Sequence, residues 1–183
     1  QKPGFVGIPA GPEVCIMDNN NKILNQGEEG EVCIRGENVT SGYENNPDAN
    51  KNSFSDGWFR TGDQGYFDKD GYLKISGRLK EIINKGGEKI SPLEVDNILM
   101  DHPNIEQAVC FGYEDKMLGE DIATAIIIKE GMKCTEDDIK IYANEKLAKF
   151  KIPKKIFFVN EIPKGATGKL QRNTLAKKFG LVN

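Results

Sequence analysis

The sequence predicts an α+β protein: a small distorted β-barrel subdomain over residues 1–77, then a mixed α+β domain over residues 78–183. Short apolar runs broken by turn residues fill the first stretch, as in strands joined by tight connections. Beyond it, apolar residues at helical spacing alternate with longer β-branched runs, the pattern of helices laid on a sheet. Between the two lies Gly77-Arg78-Leu79-Lys80, where the character of the chain changes.

In the first stretch, strands are expected at Glu13–Met17, Gly30–Arg35, 65–67 and 72–75. Asp18-Asn19-Asn20-Asn21, Gln26-Gly27 and Asp68-Lys69-Asp70-Gly71 supply the turns. Asp70-Gly71, between Tyr66-Phe67 and Tyr72-Leu73, is a hairpin signal. The expected form is a barrel that has lost neighbouring strands.

In the second stretch, Ser91-Pro92-Leu93-Glu94 reads as a capping box, with Ser at the N-cap, Pro first in the helix and Glu third. Val95, Ile98 and Leu99 follow at helical spacing and should face a core. Residues 105–113 and 121–129 are apolar, β-branched strand candidates. Thr135-Glu136-Asp137-Asp138 opens a second helix carrying Ile139, Tyr142, Ala143 and Leu147. A strand at 156–159 and a helix at 170–179 complete the expectation.

Composition excludes several functions. A chain of 183 residues with 38% hydrophobic and 29% charged residues is globular rather than disordered. Its net charge of −3 offers nucleic acid no bulk attraction. The local excess of Lys between positions 146 and 155 reads as a solvated helix end and loop. No apolar run approaches the ~18 residues that span a bilayer. The first residues lack a signal-peptide pattern, and Gly180-Leu181-Val182-Asn183 is not a peroxisomal tripeptide. An intracellular, cytoplasmic protein is therefore expected. Four scattered cysteines (Cys15, Cys33, Cys110 and Cys134) form no CxxC, so reduced core thiols are expected and a metal site is not. The single histidine, His102, falls at an apparent helix end, which disfavours Ser-His-Asp or Cys-His catalysis.

Pro163-Lys164-Gly165-Ala166-Thr167-Gly168-Lys169-Leu170 sets one lysine after a two-glycine turn. Glycines let main chain approach a ligand closely, and a lysine adds a mobile charge with three donors. A P-loop needs four residues between its glycines and Ser or Thr after the lysine. Here two residues intervene and Leu170 follows, so this is not a P-loop. Upstream stand Gly57-Trp58-Phe59-Arg60-Thr61-Gly62-Asp63 and Gly77-Arg78-Leu79-Lys80-Glu81-Ile82-Ile83-Asn84-Lys85-Gly86-Gly87-Glu88-Lys89-Ile90-Ser91-Pro92.

In this order the three segments resemble the late signatures of the acyl-adenylate-forming superfamily, which includes acyl-CoA synthetases, luciferases and peptide-synthetase adenylation domains. The resemblance runs from about Lys2 to Gly180. The segments Gly30-Glu31-Val32-Cys33-Ile34-Arg35-Gly36, Asn45-Asn46-Pro47 and Ile90-Ser91-Pro92 look most like the oxalate–CoA ligase subgroup.

The resemblance implies two half-reactions: a carboxylate attacks the α-phosphorus of ATP, then a swivelling carboxyl-terminal domain brings CoA to displace AMP. It implies that Lys169 is catalytic, offsetting repulsion between the two anions. Asp63 and Arg78 are implied to hold the nucleotide ribose, a carboxylate suiting hydroxyl donors. Lys80 is implied to be the hinge, and Gly86 and Gly87 to line the passage for the pantetheine arm of CoA. ATP and CoA are the implied substrates, with a small-molecule carboxylate. Magnesium is expected in the parent enzyme with ligands outside this chain.

The family's Gly/Ser/Thr-rich phosphate loop and Tyr-Gly-x-Thr-Glu segment are absent. The chain is therefore expected to be a fragment, inactive alone, whose partner is the missing N-terminal region of the same polypeptide. Residues 1–77 would end the large AMP-binding domain and 78–183 would be the mobile domain. Two alternatives stay open at this level: a non-catalytic binding or interaction module of the same fold, and an adenylation domain that loads a carrier-protein thiol.

Overall fold

The computed structural model describes residues 2–165, 168 and 170–181. The chain divides into two units, Gln1–Lys80 and Glu81–Asn183, each with its own core. The expected α+β class holds.

The first unit is a five-stranded antiparallel sheet. Strands β1 (Glu13–Met17), β2 (Gly30–Arg35) and β4 (Trp58–Phe67) lie side by side, and β4 also pairs with β3 (Phe54–Ser55) and β5 (Leu73–Arg78). Register shifts at Glu31/Cys33 and Gln64/Gly65 curl the sheet, because a bulge bends its strand and increases local twist. The sheet buries both faces. Cys15, Met17, Cys33 and Trp58 form one cluster, and Ile16, Val32 and Leu73 the other. Asp68 shapes the predicted hairpin by accepting the Asp70 and Tyr72 N–H groups at 2.9 Å.

Two features of this unit escape sequence reasoning. Strand β4 begins at Trp58 rather than at residue 65, because Arg60, Thr61 and Asp63 interrupt the apolar alternation. Helix α1 (Pro47–Ser53) buries no residue and so leaves no periodic signal. Pro47 starts it, and the Asn46 side chain caps it by accepting the Ala49 N–H at 3.1 Å.

The second unit wraps helices around a five-stranded mixed sheet. Strands β6 (Ile83–Lys85) and β7 (Glu88–Ile90) form a short hairpin, followed by helix α2 (Pro92–Met100). Strands β8 (Ile105–Asp115) and β9 (Gly119–Ile128) form a long antiparallel pair. Helix α3 (Glu136–Lys146) then leads to β10 (Lys155–Phe158), parallel to β9, and helix α4 (Arg172–Lys178) closes the unit. Ala108 and Cys110 of β8 pack with Val95 and Leu99 of α2 and Ile139 and Ala143 of α3. The alternate residues Val109, Phe111 and Tyr113 pack with Leu175 and Ala176 of α4. Burial on both faces explains why β8 and β9 read as continuous apolar runs.

Capping departs from expectation. Ser91 and Pro92 do start α2, but the Ser91–Glu94 box does not form; the Glu94 carboxylate accepts from Lys151 Nζ at 2.7 Å instead. The reciprocal box is on α3. There Thr135 Oγ1 accepts the Asp138 N–H at 3.2 Å, and Asp138 Oδ2 accepts the Thr135 N–H at 2.9 Å. His102 does follow the end of α2: its Nδ1 accepts the Asn104 N–H at 3.2 Å and its ring meets Tyr142 edge-on at 4.8 Å, so it organises the turn there.

Cys15, Cys33 and Cys110 are buried in strands, and burial pushes the Cys15 and Cys33 thiols up to about 11 and about 12. Thiolates are the reactive form, so alkylation at pH 8 is expected to modify half-buried Cys134 first, as mass spectrometry would read. Leu99 is fully buried, and Leu99→Ala is expected to destabilise the second unit by about 2–5 kcal/mol, measurable by urea denaturation.

Candidate functional site

Of the predicted site residues, Asp63 and Arg78 lie together in the first unit, Lys80 ends that unit, and Gly86 and Gly87 lie in the second. In the first unit, Asp63 on β4 and Arg78 on β5 are direct ladder partners, and Arg78 Nε donates to Asp63 Oδ1 at 2.8 Å. The pair is substantially exposed, with side-chain exposures of 28% for Asp63 and 51% for Arg78. An ion pair in that setting adds little stability, so its position needs another explanation.

The strand leading to Asp63 is held by Glu31 of β2. Glu31 is buried and accepts from Arg60 Nε at 2.7 Å and from the Gly62 N–H at 2.9 Å. Thr61 Oγ1 donates to the Val32 carbonyl at 2.7 Å and accepts the Asp63 N–H at 3.1 Å. Gly62 takes a φ of +74°, a left-handed angle that a β-carbon would penalise. Thr61-Gly62-Asp63 is thus a kinked strand segment that turns the Asp63 carboxylate toward Arg78. Trp58, at the start of β4, is buried beneath the Arg35 guanidinium at 4.3 Å and serves packing.

In the second unit, Gly86 and Gly87 form the two-residue turn of the β6–β7 hairpin, with φ of +60° and +94°. Two successive left-handed residues make the tight hairpin connection that asparagine and glycine favour. Both are exposed. Lys80 is exposed in a single 3-10 turn, Leu79–Glu81.

Lys169 lies outside the described residues. Around it, the Gly168 N–H donates to the Gly165 carbonyl at 2.9 Å, and Lys164 and Leu170 are bridge partners. Lys178 Nζ also donates to the Lys164 carbonyl at 2.8 Å.

Four further charged residues support these positions and were not singled out in the sequence. Arg172, three residues beyond Lys169, is half-buried and contacts Glu81 at 3.0 Å, Asp96 at 2.6 Å and the Cys110 carbonyl at 2.9 Å. Asp96 also accepts the Cys110 N–H at 2.6 Å; burial raises its carboxyl above the ordinary range while Arg172 pulls the other way. Asp121, on β9, is paired with Lys85 at 2.6 Å. Glu31 is the fourth. The available signal was a carboxylate inside an apolar run, as in Asp121-Ile122-Ala123 and Glu31-Val32-Cys33, because such groups are rarely buried without a partner.

The lysine-rich stretch from 146 to 155 is engaged within its own unit. Lys151 pairs with Glu94 at 2.7 Å and Lys154 with Asp115 at 3.0 Å. Lys146 and Lys155 lie over the Tyr142 and Tyr113 rings at 5.1 and 4.5 Å. The Lys154 bond draws the Asp115 carboxyl down to about 2. Among the described residues, no group of three His, Cys, Asp or Glu side chains could hold a metal ion, and no helix is long and apolar enough to cross a membrane.

Residues 94–169 match the family described as AMP-binding enzyme C-terminal domain. Over 97% of its length the chain is 53% identical to an oxalate–CoA ligase from Arabidopsis thaliana, of which it covers 35%. It is 52% identical over 98% of its length to an oxalate–CoA ligase from Saccharomyces cerevisiae, covering 33% of that protein. Among solved structures, ATP-bound MatB from Rhodopseudomonas palustris matches 97% of this chain and 36% of its own, at 32% identity and a TM-score of 0.90. The amide bond synthetase McbA from Marinactinospora thermotolerans matches 96% of this chain and 36% of its own, at 30% identity and a TM-score of 0.89. The chain spans about a third of the length of the curated relatives it matches.

Removing the Glu31 carboxylate leaves the Arg60 guanidinium, whose side chain is 16% exposed, without its counter-ion and with only the neutral Asn21 and Asp18 carbonyl oxygens as partners. Glu31→Ala is expected to cost the first unit about 3–5 kcal/mol, the usual result of breaking a buried pair from one side, seen as a lower urea midpoint.

Proposed function

We propose, from the premise that residues 94–169 belong to the AMP-binding enzyme C-terminal domain family, that this chain is the carboxyl-terminal part of an ATP-dependent carboxylate–CoA ligase. The reading is carried by one observation: nearly the whole chain aligns with CoA ligases at more than half identity. On this reading, residues 1–77 complete the large AMP-binding domain and residues 78–183 form the mobile domain, with Lys80 as the pivot. The remainder of the enzyme, including the donors for magnesium, lies in an N-terminal region of the same polypeptide.

In the first half-reaction, a carboxylate oxygen bonds to the α-phosphorus of ATP and the bond to pyrophosphate breaks. Both reactants are anionic, so a cation between them lowers the barrier by stabilising charge as it shifts. Lys169 takes that role, next in sequence after Gly168. Asp63 accepts hydrogen bonds from the ribose hydroxyls, and Arg78 holds its carboxylate in register while reaching the same ribose. Support comes from their exposure: the pair stabilises the fold little, yet Gly62, Thr61 and Glu31 all brace it.

In the second half-reaction, the CoA sulfur bonds to the acyl carbon, its proton is lost and AMP leaves. Gly86 and Gly87 let the pantetheine arm pass close to backbone, where a β-carbon would obstruct it. CoA is favoured over an amine or a carrier-protein thiol as acceptor, since the relatives at 52–53% identity are CoA ligases while the amide bond synthetase stands at 30%. The same comparison favours oxalate as the acid over sulfoacetate, whose ligase from Cupriavidus necator is 39% identical.

The full-length protein is expected to release AMP from ATP only when oxalate and CoA are both supplied, in a coupled spectrophotometric assay. No CoA-dependent release with any carboxylic acid would overturn the ligase reading. A tenfold preference for another acid would overturn only the choice of oxalate. Lys169→Ala is expected to lower pyrophosphate exchange by about 10²–10³ while thioester formation from supplied acyl-adenylate persists. Equal losses in both half-reactions would remove Lys169 from its assigned role.

A further inference from the structure

Three consecutive residues tie the Gly86–Gly87 turn to the β8–β9 hairpin. The Asn84 N–H donates to Glu120 Oε2 at 2.7 Å, and the Gly86 N–H donates to the Leu118 carbonyl at 2.8 Å. Between them, Lys85 Nζ reaches Asp121 Oδ1 at 2.6 Å, with side-chain exposures of 14% and 2%. Lys85 is also the ladder partner of Gly119, so β6 touches β9 at this one register position.

The lysine is an unusual choice on energetic grounds. Desolvating both charges costs several kcal/mol per ion, and their attraction repays it only with good geometry. Replacing such a pair with apolar residues is often neutral or stabilising, so stability alone does not explain it. What the pair does supply is direction. It anchors the last residue before two left-handed glycines, which have no side chains of their own to fix the turn. Without it, no side chain of β6 would bond to β9, and the Asn84 and Gly86 amides and the single ladder position would remain.

We propose that Lys85, through its buried ion pair with Asp121, is a positioning residue that sets the Gly86–Gly87 turn for the thiol-transfer half-reaction. The inference rests on the CoA-ligase reading above. Lys85 touches no reacting atom; it acts by holding the backbone past which the pantetheine arm must pass. Misplacement of such a surface by a fraction of an ångström lowers rate without disturbing the distant chemistry of adenylation. Lys154, at 3.4 Å from Asp121 Oδ2, keeps the carboxylate partnered when Lys85 is replaced, so the variant should fold.

The test compares full-length wild type, Lys85→Met and Lys85→Arg. Lys85→Met is expected to raise the KM for CoA about tenfold, with ATP–pyrophosphate exchange within about twofold of wild type. Lys85→Arg, which restores a cation to Asp121, is expected to recover most of the loss. Hydrogen exchange at the Gly86 amide should quicken in Lys85→Met and return in Lys85→Arg. Equal loss in both half-reactions, no loss in either, or failure of arginine to rescue would each overturn the proposal. If wild type forms no thioester with any acid, the ligase reading fails instead. The Gly86 amide then still decides whether the brace operates, since unchanged exchange in Lys85→Met would overturn it.

Discussion

A sheet covered on both faces leaves no place for a charge without a partner, and this constraint organises the second unit. Strands β8 and β9 carry apolar residues on alternate faces, one set against α2 and α3 and the other against α4. Carboxylates that enter this environment must be matched, because an isolated buried ion costs far more than folding can tolerate. Asp121 is matched by Lys85 from β6, and Asp96 by Arg172 from α4. Each match fastens a peripheral segment to the sheet. The two segments fastened in this way are the glycine turn and helix α4.

The first unit solves a related problem with less core. Its apolar clusters are small, and its sheet curls through two bulges. Glu31 does most of the polar organisation, holding Arg60 with one oxygen and the Gly62 amide with the other. The left-handed angle is open to Gly62 because it lacks a β-carbon, and the bond to Glu31 fixes its amide there. Asp63 then emerges on the neighbouring strand from Arg78, partly exposed and bonded to it. The division of labour is clear in the burial: Glu31 is hidden and structural, while Asp63 and Arg78 are accessible.

Much of the fold was legible in the sequence wherever burial and periodicity coincide. The long apolar runs of β8 and β9, the helical spacing of Val95 and Leu99, and the Asp70-Gly71 hairpin all appear as expected. Where polar atoms compete for partners, local patterns misled. Ser91 and Glu94 have the spacing of a capping box, yet Glu94 pairs with Lys151, far along the chain. Thr135 and Asp138 form the box with the shorter acid. Helix α1 buries nothing and rests on Asn46 and Pro47, so no periodicity marks it.

The sequence by itself determined which chemistry-bearing residue types lie in order along the chain, and which stretches are apolar enough to become strands or helix faces. Those properties are local and can be read from spacing. Only the tertiary structure decided which charge meets which: Lys85 with Asp121, Arg172 with Glu81 and Asp96, Glu31 with Arg60, Asp63 with Arg78. Pairing depends on strand register and on which faces are closed to water, and neither is encoded by neighbours in sequence.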